Sequence, residues 1–184
     1  MTKIKIEIKN RFTGKVIFEL ETENNTIKNT VETAVKQGVS LSGANMSGAD
    51  MSGANMSGAN MSGANMYRAD MYRADMSGAD IDQIKADFFL ILLYAKNEVL
   101  GLENALINGM VDGSTYSGEC CCLVGTIANV KGCNYEMLDG IKPKSSRPAE
   151  RWFLGIRKGD TPETNQISKI TLEWIEEFKK LLNL

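Results

Sequence analysis

Three consecutive cysteines, Cys120, Cys121 and Cys122 in "STYSGECCCLVG", are the residues of this chain best suited to covalent or metal chemistry, and no histidine accompanies them. Without imidazole there is no Cys/His or Ser/His dyad and no His-containing metal site. A reactive thiolate then requires a helix N-terminus, a lysine or an arginine beside it. Cys120 opening a helix after "DGSTYSGE", with Tyr116 and Glu119 close by in sequence, is the one arrangement that meets this requirement, and it defines a thiol-enzyme reading. Metal binding is disfavoured, because adjacent helical residues point about 100° apart and cannot converge on one ion. Cys133 supplies a fourth sulfur without a paired neighbour. Small buried packing residues are the plainer account of all four. Contiguous cysteines also make a poor disulfide framework, which points to a reducing compartment. Asp112, Glu119, Glu150 and Asp160 are too scattered to form an acid–base pair, so no catalytic residue, metal ligand or cofactor site is assigned.

Two stretches carry binding chemistry instead. "MYRADMYRAD" brings together Tyr67, Arg68, Tyr72 and Arg73, the residue types enriched at interface hot spots, although Tyr-Arg at a solvated corner is equally ordinary. "NQISKITLEWIEEFKKLL" presents Ile167, Ile170, Trp174, Phe178 and Leu181 on one side of a helix. Such a stripe needs a partner surface, in the same chain or another. A homodimer through this helix, with Trp174 and Phe178 in the contact, is the expectation.

The elements that position these residues fall into three segments. In residues 1–38, Ile4, Ile6 and Ile8 alternate with charged residues, Val16, Phe18 and Leu20 repeat the pattern, and "NRFTG" between them reads as a turn. A helix follows with Asn25 or Thr26 as N-cap and Gly38 just past its end. In residues 39–82 the centres Leu41, Met46, Met51, Met56, Met61, Met66, Met71, Met76 and Ile81 recur every fifth residue. From Ala44 onward an alanine lies two residues before each, and Asn or Asp one before. A period of five fits neither a helix nor a strand, so repetition outranks every other signal here. Residues 83–184 switch to helical patterns, and "ECCCLVGTIANVKG" reads as a short helix of small residues.

The repeats resemble the pentapeptide-repeat family, whose pattern is A(N/D)LXX. That resemblance implies a short right-handed quadrilateral β-helix, about two coils for nine centres; with the hairpin–helix cap of 1–38 and the α-helical domain of 83–184 read from their own patterns, the expected fold is mixed β and α. Each pentapeptide would form one side, with alanine and the central residue inside and Asn, Asp, Ser and Gly at corners. Residues 20 apart would stack, which places Tyr67 over Ser47, Tyr72 over Ser52, Asp70 over Asp50 and Asp75 over Asn55. Methionine, unbranched and adaptable, fills such a core with less sharply specified packing. "VDGSTYSGECCCLVGTIANVKG" and "RPAERWFLGIRKGDTPETN" look like bacteriophage and prophage members of the family, which implies a phage-related origin and residence in the host cytoplasm but no transferable activity.

Charge and length limit function further. With 21 basic and 23 acidic residues the net charge is −2, and no segment is a basic arm or an acidic tail. Family members that mimic duplex DNA and inhibit gyrase need a long acidic ladder, since DNA carries a charge about every 1.7 Å of axis. Two coils, on the order of 10 Å tall, with four Asp offset by two Arg, are too short for that. The longest apolar run, "FFLILLYA", is far below the roughly 20 residues a membrane span requires, and the amino terminus lacks the pattern of a secretory signal. The expectation is a cytoplasmic, non-enzymatic protein-interaction module that binds no cofactor and no membrane, with direct nucleic-acid contact disfavoured. A counter-defence inhibitor of a host nuclease, of anti-CRISPR or anti-restriction type, or of a topoisomerase is the alternative within binding proteins. The thiol enzyme centred on Cys120 is the catalytic alternative.

Overall fold

A computed structural model of the chain describes residues 2–184 except Tyr67, Arg68, Asp70, Tyr72, Arg73 and Ser77. It is a mixed α and β chain with a small two-stranded sheet, dividing into two compact units, Met1–Gln83 and Ile84–Leu184.

In the first unit, strand β1 (Lys3–Lys9) runs antiparallel to β2 (Val16–Glu23). Ile6 pairs with Leu20 and Ile8 with Phe18, after which the register slips to Lys9 opposite Val16 and leaves Ile17 as an extra residue on β2. Asn10 closes the connection by accepting the N–H groups of Phe12 and Thr13 on its side-chain oxygen. Helix α1 (Ile27–Lys36) is capped by Thr26, whose hydroxyl accepts the Asn29 N–H at 3.1 Å. Its Val31 and Ala34 are fully buried and it packs on both strands, burying Ile8 but leaving Ile4 and Val16 exposed.

The five-residue repeat has a direct structural cause. The N–H of each inward alanine donates to the carbonyl of the central residue three positions earlier, as in Ala44 to Leu41 and Ala54 to Met51. The Asn or Asp side chain accepts the N–H two residues on, at 3.1 Å from Ser52 to Asp50 and 3.0 Å from Ser57 to Asn55. Glycine then takes φ between +62° and +71°, which turns the corner at no steric cost. Each centre from Leu41 to Met76 is 2% exposed or less. Twenty residues bring the chain back to the same place: Asn45 bridges Asn65, Asn55 bridges Asp75 and Asn60 bridges Asp80, all in parallel. Met56 N–H donates to Asp75 O at 2.7 Å, and Asp75 N–H to Ala54 O at 2.8 Å. The expected pairing of Asp75 with Asn55 is therefore present, whereas those of Tyr67, Asp70 and Tyr72 lie outside the described residues. Among the described residues no strand runs through 41–81; the pairing is made of isolated bridges between turns.

The second unit takes in α2 (Asp82–Tyr94) from Ile84 onward, α3 (Val99–Ile107), α4 (Leu123–Lys131), α5 (Pro148–Phe153) and α6 (Gln166–Leu182). Its core is aromatic. Trp152 stacks on Trp174 with ring centroids 5.2 Å apart, Phe88 lies 5.8 Å from Phe153, and Phe89 meets Phe178 edge-on at 5.3 Å. The Trp152 indole N–H donates to the Thr171 hydroxyl at 2.8 Å, and that hydroxyl donates to Ile167 O at 2.7 Å. Asn165 caps α6 through the N–H groups of Ile167 and Ser168.

This packing corrects the expected role of α6. Ile167, Ile170, Trp174 and Phe178 are all buried, Trp174 against Phe88 of α2 and Trp152 of α5 and Phe178 against Phe89 of α2, so the apolar stripe finds its partner in its own chain and of its five residues only Leu181 stays exposed. Helix α4 also starts three residues later than expected, because Cys121 pairs with Val111 in a parallel bridge and holds the cysteines extended. Among the described residues no helix is long and apolar enough to cross a membrane.

Candidate functional site

Tyr67, Arg68, Tyr72 and Arg73, the binding residues expected within the repeats, lie outside the described residues. Trp174 and Phe178 are buried in the second unit and present no surface to a partner.

The cysteines point three ways. The Cys120 sulfur lies 4.0 Å from the Met110 thioether, and the Cys121 thiol donates to Gly118 O at 3.0 Å. Cys122, not Cys120, occupies the N-cap of α4. Burial pushes its thiol up to about 11, against the opposing pull of the Gly125 and Val124 N–H groups in the first helical turn. Burial likewise raises Cys121, although the Asn129 amide works the other way. The shift is opposite to that of an activated thiolate. Glu119, proposed beside Cys120, is exposed and its carboxylate lies 4.0 Å from Lys158. Tyr116 is turned to Glu150, which accepts its hydroxyl at 2.5 Å. The grouping of Cys120, Tyr116 and Glu119 into one centre is therefore corrected: the extended backbone at Cys121 sends these side chains to different partners. Among the described residues no three or more His, Cys, Asp or Glu side chains are placed to hold a metal ion.

Sequence reasoning missed the Tyr116–Glu150 pair, which is separated by 34 residues and carries no local signal. Glu150 is only 4% exposed, with one oxygen on Tyr116 and the other accepting the Lys144 N–H at 2.8 Å. Burial, then the bond to Glu150, drives the Tyr116 phenol well above its ordinary range. Both oxygens of the carboxylate are occupied by protein, so the pair ties the 140s loop to the segment before the cysteines and presents no free acid or base.

Thiol reactivity separates these descriptions. At pH 8 a thiol near 11 is thiolate on the order of a thousandth of the time. Alkylation with iodoacetamide is expected to modify half-buried Cys133 first and to reach Cys120, Cys121 and Cys122 only after unfolding. Rapid native modification of Cys122, read by peptide mass spectrometry, contradicts the buried packing role.

Among the described residues, one side of α2 leaves large apolar side chains exposed. Leu90, Leu93 and Tyr94 lie on α2 at spacings of three and four, which puts them on one side of the helix. They are 58%, 45% and 66% exposed. The Tyr94 ring also lies close against the backbone of Gly140, where an added Cβ would sit 2.4 Å from it.

A family model described as Pentapeptide repeats matches residues 49–84, in 8 copies. No curated protein and no solved structure matches the chain.

Proposed function

We propose that this chain is a non-enzymatic protein-interaction module, with residues 39–82 as scaffold between a hairpin–helix cap (1–38) and a helical recognition unit (83–184). The scaffold reading draws on the repeat match over 49–84, since such repeats commonly serve protein interaction. It also draws on the twenty-residue return of the chain and the inward methionines, which are what about two coils of a right-handed, four-sided β-helix require. Among the described residues, the raised Cys121 and Cys122 thiols and the doubly bonded Glu150 carboxylate are consistent with this reading.

The recognition reading is carried by one observation, the exposed side of α2 formed by Leu90, Leu93 and Tyr94. Clustered aromatic and aliphatic side chains left in water by a folded unit are what an interface core uses. Self-association through α6 is left out, because its stripe is buried. The narrower form of this reading, a counter-defence inhibitor of a host nuclease or topoisomerase residing in a bacterial cytoplasm, draws only on the phage-type resemblance of the flanking segments.

Photo-crosslinking tests the proposal. With p-benzoylphenylalanine in place of Tyr94, irradiation in bacterial lysate is expected to yield a discrete protein adduct that excess unlabelled protein competes away. The same group in place of Ser47, on the outside of the repeats, serves as comparison. Absence of any competed adduct at position 94, or turnover of a defined substrate by the purified chain, overturns the reading.

A further inference from the structure

The sheet of the first unit has two strands among the described residues, so each strand leaves an outer edge, and the two edges differ. On the far side of β1 from β2, Lys9 O accepts the Asn45 N–H at 2.8 Å and Arg11 N–H donates to Gly43 O at 2.9 Å. Residues 43–45 thus hold this edge from Lys9 onward. Main-chain groups alternate in direction along a strand, so Glu7, Lys5 and Lys3 turn their N–H and C=O to the same side as Lys9. No third strand meets them there among the described residues.

The middle of this edge, "IKIEI" from Ile4 to Ile8, is complementary to itself when reversed, whereas Lys3 and Lys9 at its ends are like charges. In an antiparallel copy centred on Ile6, Lys5 stands opposite Glu7 of the second copy and Glu7 opposite its Lys5, while Ile6 meets Ile6 and Ile4 falls in register with Ile8, which its own unit already covers. The pairs of Lys5 with Glu7 are those whose main-chain groups face outward, so each exchanges two N–H···O bonds. On the opposite face the contact extends the isoleucine row from Ile4, which is 44% exposed. Pairing ends at Ile4 and Ile8, because residues 43–45 occupy the place beyond.

The outer edge of β2 has the reverse character. Its outward-facing positions are Glu19, Glu21 and Glu23, so every self-pairing in phase sets Glu against Glu, and the bulge at Ile17 disturbs the ladder. The two edges thus differ in the charges they set opposite an antiparallel copy.

We infer that a second copy of this chain docks antiparallel on the outer edge of β1 about a two-fold axis at Ile6, making a four-stranded sheet in the order β2–β1–β1–β2. The interface is isologous, so it closes at two copies.

Sedimentation equilibrium of the full chain, 20.2 kDa per copy, reads the result. Lys5→Glu alone opposes Glu to Glu and Glu7→Lys alone opposes Lys to Lys, each twice per dimer, so each variant is expected to dissociate at least about tenfold more readily than the wild-type dimer. An equimolar mixture of the two variants restores opposite charges in trans and is expected to recover a heterodimer, as is the double variant Lys5→Glu/Glu7→Lys with itself. A merely structural effect on the hairpin is not rescued by mixing. Lys5→Pro removes an outward N–H while leaving the bonds to β2, and decides the matter should the charge variants fail to fold. A wild-type chain that stays monomeric at 100 µM, a mixture that stays monomeric, or a Lys5→Pro chain that still dimerises overturns the inference.

Discussion

Replacing Trp152 by alanine is expected to destabilise the second unit by about 3–5 kcal/mol, the range for truncating a fully buried large aromatic. Trp152 is 1% exposed, stacks on Trp174 at 5.2 Å, and ties α5 to α6 through its bond to Thr171. Alanine at this position leaves a cavity bounded by Trp174 and strands the Thr171 oxygen, which keeps only its donation to Ile167. For a unit of this size the thermal midpoint falls by roughly 15 °C or more. Trp152→Phe retains most of the ring and loses the N–H, so its cost is expected to lie well below that of alanine. Urea unfolding followed by the fluorescence of the remaining Trp174 measures both. An alanine variant within about 1 kcal/mol of wild type contradicts the placement of Trp152 at the centre of this core.

Trp152 also illustrates what the sequence makes legible and what it does not. The alternation of Ile4, Ile6 and Ile8 with charge, and of Val16, Phe18 and Leu20, is local information, and it yields the hairpin. Thr26 and Gly38 mark the ends of α1 because caps act within a few residues. The five-residue period exposes which side chains turn inward, since repetition restates the environment of each position several times over. By contrast, the partner of the α6 stripe is a non-local fact. Periodicity says that Ile167, Ile170, Trp174 and Phe178 share a side, but not that Phe88, Phe89 and Trp152 wait for them in the same chain. The short helix α5 begins on Pro148 and runs only six residues, too few to establish a helical apolar period.

The candidate site shows the same boundary. Three cysteines before a helical pattern suggest a helix that begins with them, yet the bond from Asp112 N–H to Cys121 O and the bridge to Val111 keep them extended. That tertiary pairing outweighs local propensity and leaves Cys122 as the cap. The Tyr116–Glu150 bond joins segments whose nearness depends on the packing of the whole unit, so no spacing rule reveals it. Exposure of Leu90, Leu93 and Tyr94 is equally hidden. The apolar run "FFLILLYA" mixes buried Phe88, Ile91 and Leu92 with these exposed residues, and hydropathy alone does not separate the two sides.

The repeat interior is where sequence and structure constrain each other most tightly, and the largest effect in the first unit is expected there. Met61 is fully buried and its N–H bonds Asp80 O at 3.1 Å, so its side chain fills the space at the level where two turns stack. Met61→Ala removes that filling next to the inward alanines Ala59 and Ala64, which are too small to close the gap. The cost is expected to be about 2–5 kcal/mol. Met61→Leu conserves volume and is expected to change stability by less than about 1.5 kcal/mol, with either sign open to the shape of the cavity. Ser47→Ala, on the outside, is expected to stay within about 0.5 kcal/mol. Hydrogen exchange of amides 41–81 reads all three, because a loosened interior opens the bonds between residues twenty apart before those inside a single turn. If Met61→Ala and Ser47→Ala prove equally mild, the five-residue rows do not line an interior, and a scaffold built on them has no core to hold it.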